Sequence, residues 1–88
     1  MKIMQIMYYP GQGGAEQYAY LLAKYAKKNG HETCFVFGQK GPFEERVKEL
    51  GCEIYYLKMR SPFDPLAITG LSQLYQKWQP DIVQTHLN

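Results

Sequence analysis

The stretch Lys2-Ile3-Met4-Gln5-Ile6-Met7-Tyr8-Tyr9-Pro10-Gly11-Gln12-Gly13-Gly14-Ala15-Glu16 decides the fold. Residues 2–8 form a short apolar run closed by Pro10 and Gly11, which suits a strand covered on both faces of a parallel sheet. From residue 15 to residue 29, Ala15, Tyr18, Ala19, Leu22, Tyr25 and Ala26 recur at helical spacing. Lys27 and Lys28 sit in the last turn and Gly30 is the stop. A strand that passes through a glycine-rich turn into a helix is the opening half of a βαβ unit.

The same alternation continues outward. Residues 32–37 are β-branched and aromatic and end at Gly38, giving a second strand. Gly41-Pro42 opens a short helix with Phe43, Val47 and Leu50 on one face and Glu44 facing Lys48, and Gly51 closes it. Residues 53–57 form a third strand, followed by a loop over 58–63 punctuated by Pro62. Asp64 reads as an N-cap with Pro65 at the first helical position, and Ile68, Leu71, Leu74, Tyr75 and Trp78 make one apolar stripe before Pro80. Residues 81–85 form the last strand. The order βαβαβαβ predicts an α/β, Rossmann-like parallel sheet with strand order 3-2-1-4 and helices on both faces.

At 88 residues there is room for one domain. A composition of 45 % hydrophobic and 20 % charged residues is that of a globular chain and excludes disorder. The net charge of +2 is scattered over Lys24, Lys27, Lys28, Lys58 and Arg60, so no clustered basic face tracks nucleic acid. Cys34 and Cys52 fall inside strands and read as buried, reduced thiols. The chain runs from Met1 straight into strand sequence without a leader, and a cytoplasmic protein is expected.

In a doubly wound sheet, ligands bind beyond the carboxyl ends of the strands where the strand order reverses, between strands one and four. Two segments meet there: the loop Pro10-Gly11-Gln12-Gly13-Gly14, and the residues from His86 onward. The loop enters a helix N-terminus, whose N–H groups and macrodipole favour an anion such as phosphate. Glycine also serves a tight turn with no ligand at all, and Glu16 in the first helical turn can occupy the same N–H groups. A dinucleotide fingerprint started at Gly11 needs a small residue where Glu16 stands, and no acidic residue ends strand two. No Gly-Lys-Ser/Thr follows the glycines, so a P-loop is excluded. His31 and His86 are isolated from other ligand types, and no metal site is expected. His31 lies at the end of the sheet opposite the switch point and reads as structural.

Gly13-Gly14-Ala15-Glu16, Gly30-His31-Glu32, Gly41-Pro42 with its helix to Gly51, and Pro80-Asp81-Ile82-Val83-Gln84-Thr85-His86 together resemble the amino-terminal domain of family 4 glycosyltransferases, over the whole chain. The resemblance implies a two-domain, GT-B enzyme with an acceptor-side amino-terminal domain and a carboxyl-terminal domain that holds a nucleotide sugar, and a retaining transfer in glycan or polysaccharide synthesis. It implies that Gly13, Gly14 and Glu16 approach the donor's diphosphate and sugar. His86 would be the active-site histidine, hydrogen-bonding a sugar hydroxyl rather than acting as nucleophile, and Lys58 and Arg60 would form a loop near the acceptor. No cofactor or metal is implied, the nucleotide sugar being a substrate. The partners are donor and acceptor, with peripheral membrane contact open to the intact protein. The sequence is expected to be a partial domain over 1–88, cut after strand four, without turnover alone and with an open strand-four edge suited to self-association. A nucleotide-sugar epimerase-like half-domain and a non-catalytic binding or assembly module remain as rival readings.

Overall fold

Parallel pairing places β1 (Lys2–Met7) at the centre, with β2 (Glu32–Phe37) on one side and β4 (Ile82–His86) on the other, and β3 (Glu53–Tyr56) beyond β2. The sheet order is β3-β2-β1-β4, as the alternation predicts. The computed structural model describes residues 1–58 and 64–86. Within these, α1 (Gly14–Lys28), α2 (Phe43–Leu50) and α3 (Pro65–Trp78) connect the strands.

The period-two alternation of the strands divides the core into two layers. On the face covered by α1 and α2, Met7, Phe35 and Phe37 pack with Ala19, Ala23, Phe43 and Val47. The rings of Phe35, Phe37 and Phe43 meet at centroid distances of 5.7 to 6.3 Å. On the α3 face, Met4, Ile6, Cys34 and Val36 pack with Leu74 and Trp78. Cys34 and Cys52 therefore serve opposite faces of the sheet and are free thiols. Burial, the largest cause, pushes the Cys34 thiol up to about 12, so it stays protonated.

Two helical faces differ from the expected stripes. In α1 the buried residues are Glu16, Ala19, Ala23 and Ala26, while Tyr18 and Tyr25 are exposed. Small alanines let the helix axis approach the sheet, and the Tyr18 ring lies beside His86 of β4 instead. In α3, Leu74 and Trp78 are buried but Ile68 and Tyr75 are exposed. Asp64 caps α3 as expected, its carboxylate accepting from Leu66 N at 3.0 Å, with Pro65 in the first turn.

The Glu44–Lys48 pair is replaced by other contacts. Glu44 is buried and accepts from Gly41 N at 2.9 Å and from the Tyr56 hydroxyl, and Lys48 instead lies 3.8 Å from Glu45. A buried carboxylate beside unpaired loop N–H groups gains more from them than an exposed pair on a helix surface supplies.

The register of β4 is set at its amino end. Lys2 and Asp81 exchange hydrogen bonds, Lys2 N to Asp81 Oδ2 and Asp81 N to Lys2 O, both at 2.7 Å. Lys2 Nζ also donates to Trp78 O at 2.6 Å and lies 4.4 Å from the Trp78 ring centroid. With that end fixed, parallel pairing brings His86 opposite Met7, at the carboxyl rim of the sheet.

Candidate functional site

The glycine-rich turn is built around one buried carboxylate. Glu16, 4 % exposed in the first turn of α1, accepts from Gly11 N at 2.8 Å. Gly11 is held closely, because a Cβ there would lie 2.9 Å from the Tyr9 ring and 3.1 Å from Glu16 Oε2. Pro10 O accepts from Phe43 N at 3.0 Å and ties the turn to α2. Glu16 thus holds the N–H of Gly11, which lies ahead of the N-cap Gly13.

Gly13 and Gly14 stand differently. Gly13 is the N-cap of α1 in extended backbone, φ −155° and ψ −169°, a conformation open to any residue. A Cβ at Gly13 would make ordinary contact with Glu16 at 3.4 Å, and one at Gly14 would meet nothing within 4 Å. Positive φ among glycines occurs at Gly30 and Gly51, not in this turn. Nothing within the described residues requires glycine at either position, so a tight turn does not account for them. The first intrahelical bond runs from Gln17 N to Gly13 O, and the N–H groups before it lie at the positive end of the helix.

His86 ends β4 beside this turn. Its Nε2 lies 2.8 Å from Gln5 Oε1, and its ring meets Tyr18 edge-on with centroids 6.5 Å apart. Burial, the larger influence, lowers the His86 pKa from its ordinary 6.5, while the charge of Glu16 opposes the shift. The ring is therefore neutral at pH 7 and can exchange hydrogen bonds as an uncharged group. Through Glu16 and Tyr18, α1 joins the turn to His86 on one rim.

Sequence reading missed three residues here. Gln5 is fully buried in β1, and its signal was a lone amide inside an apolar strand, which must find partners. Tyr18 was assigned to the core stripe. Arg46 of α2 helps line an open groove of about 410 Å³ with Gly11, Gln12, Gly13, Glu16 and Pro42. Its guanidinium donates to Gln17 Oε1 at 3.1 Å and lies 4.0 Å from the Tyr20 ring centroid. Lys58 is exposed beyond β3, the strand farthest from β4, and so roughly 14 Å across the sheet from His86 by strand spacing. Arg60 lies outside the described residues. His31 sits at the opposite, amino end of the sheet, its Nδ1 3.1 Å from the Met1 amino group. Among the described residues no group of three His, Cys, Asp or Glu side chains is placed to hold a metal ion, and no helix is long and apolar enough to cross a membrane.

These features define a Rossmann-like α/β domain with its polar groups gathered at the switch point of the sheet. The sequence pattern of glycosyltransferase family 4 matches residues 12–88, and the chain belongs to that family. The fold is also similar to the crystal structure of a glycosyltransferase from Rickettsia africae ESF-5, with a TM-score of 0.74 and 22 % identity. That likeness covers 99 % of this chain and 24 % of the solved one, so the chain spans about a quarter of its length. A search of curated proteins returns no match.

Proposed function

We propose that the chain is the acceptor-side, amino-terminal part of a GT-B glycosyltransferase that moves a sugar from a nucleotide-sugar donor to an acceptor with retention of configuration. The observation that carries this reading is the pair of glycines at Gly13 and Gly14, which the chain's own packing and backbone do not call for. Open space above a helix N-terminus suits a diphosphate approaching from a second domain, because the N–H groups of a first helical turn and the macrodipole stabilise such a charge. A side chain at either position would enter that space.

His86, neutral and 2.8 Å from Gln5, hydrogen-bonds a hydroxyl of the transferring sugar. It is not the nucleophile: a half-buried, uncharged imidazole held by an amide serves better as a fixed partner whose bond tightens as charge develops at the anomeric centre. Glu16 supports the loop from beneath rather than touching the donor. The segment after β3, with Lys58 and Arg60, borders the acceptor. Family membership favours this reading over an epimerase-like half-domain or a non-catalytic module.

His86→Ala in the intact protein tests it. Turnover is expected to fall about 100-fold or more, the usual cost of removing one positioned transition-state hydrogen bond, with a loss of stability of about 1–3 kcal/mol because buried Gln5 Oε1 loses its partner. Undiminished transfer would remove His86 from the site.

A further inference from the structure

Gln5 lies fully buried in the central strand, opposite Phe35 of β2 and Gln84 of β4. Its Nε2 donates to the main-chain carbonyl of Ala19 at 3.2 Å, and its Oε1 faces His86 Nε2 at 2.8 Å. A carbonyl can only accept, so the bond to Ala19 fixes which end of the amide is the NH2 group. The oxygen is then turned to His86, and an amide oxygen can only accept. His86 Nε2 must therefore carry a proton. In the neutral ring the lone pair falls on Nδ1.

We propose that Gln5 is a positioning residue that holds His86 as its Nε2–H tautomer, so that Nδ1 is presented as the acceptor for a hydroxyl of the bound sugar. The proposal rests on the reading of His86 as a substrate-facing residue. The chain from α1 to β1 to β4 transmits the orientation: a helix carbonyl orients an amide, the amide orients a ring, and the ring selects a donor group on the substrate. A hydroxyl matches Nδ1 because it can donate, whereas an ether or a second carbonyl oxygen cannot. Glu16 is the charged group whose field reaches the ring, and Tyr18 is the aromatic wall beside it.

Nitrogen NMR of the imidazole in the 88-residue chain, with His31→Asn to leave a single ring, reads the tautomer without any activity. The expected spectrum has the proton on Nε2, slow to exchange with water, and that protection is lost in Gln5→Met, which keeps the side-chain length but removes both hydrogen bonds. A ring proton found on Nδ1 in the unmodified site would overturn the tautomer lock whatever the rates show, and it needs no variant to fold. In the intact transferase, Gln5→Met is expected to lower kcat about tenfold, the worth of one oriented hydrogen bond, with donor KM little changed. Added to His86→Ala it should cost nothing further; losses that multiply would show that Gln5 acts independently of the ring. If His86→Ala alone keeps full turnover while the protected Nε2 proton is present, the substrate-facing reading fails and the lock between Gln5 and His86 stands.

Discussion

His86 illustrates how one residue's chemistry depends on what surrounds it. Its position at the end of β4 was legible in the sequence, because strand order and the carboxyl-end rule placed it beside the glycine turn. Its partner was not, since an apolar run gives no hint that Gln5 reaches Nε2. Burial lowers the His86 pKa below its ordinary 6.5. The unfolded chain therefore takes up this proton first as the pH falls, and it binds more protons than the fold between the two values. Stability contributed by the neutral ring is present above pH 6.5 and is lost on going down through the folded pKa. An NMR titration of the ring is expected to show a midpoint below 6.5. The acid limb of the transfer rate should follow that midpoint, and one above 6.5 would contradict the burial.

At the scale of elements, the periodic segments were legible and their detailed faces less so. Glycine and proline marked the breaks, yet β1 closes at Met7 and β4 runs on to His86, a shift of one residue each from the sequence reading. Such ends are set by tertiary contacts: Asp81 spends its main chain and carboxylate on Lys2, which delays β4 to Ile82. The first-turn glutamates followed a logic hidden from helical periodicity, with Glu16 and Glu44 each reaching back to a glycine N–H ahead of its own helix. Gly41 is where the two turns come closest, since a Cβ there would stand 2.4 Å from Pro10 O. Because backbone cannot yield as a flexible side chain does, Gly41→Ala should force the β2–α2 turn from the glycine loop at a cost of about 1–3 kcal/mol. Thermal unfolding is expected to show a drop in Tm of roughly 5 °C or more. An unchanged Tm would show that the turns are free to part.

Seen whole, the molecule leaves apolar side chains of β4 exposed. Ile82 is 45 % and Val83 42 % exposed on an edge strand that pairs only with β1 among the described residues, and Tyr18, Tyr25 and Tyr75 are exposed on the helices. An edge of this kind offers unpaired backbone groups together with apolar side chains. The isolated chain is therefore expected to self-associate, its light-scattering mass rising with concentration, and Val83→Lys to reduce the effect. A monomer at all concentrations would count against that edge as the contact. The glycine turn belongs to this scale too, because none of the described residues comes within 4 Å of where a Cβ at Gly14 would stand. The most direct measurement is the paired stability and turnover of Gly14→Ala in the intact protein. The variant is expected to be as stable or about 0.5 kcal/mol more stable, since alanine suits a helix better than glycine, while transfer falls about tenfold or more through displacement of the donor. Full turnover with the alanine in place would contradict the claim that this rim receives the nucleotide sugar.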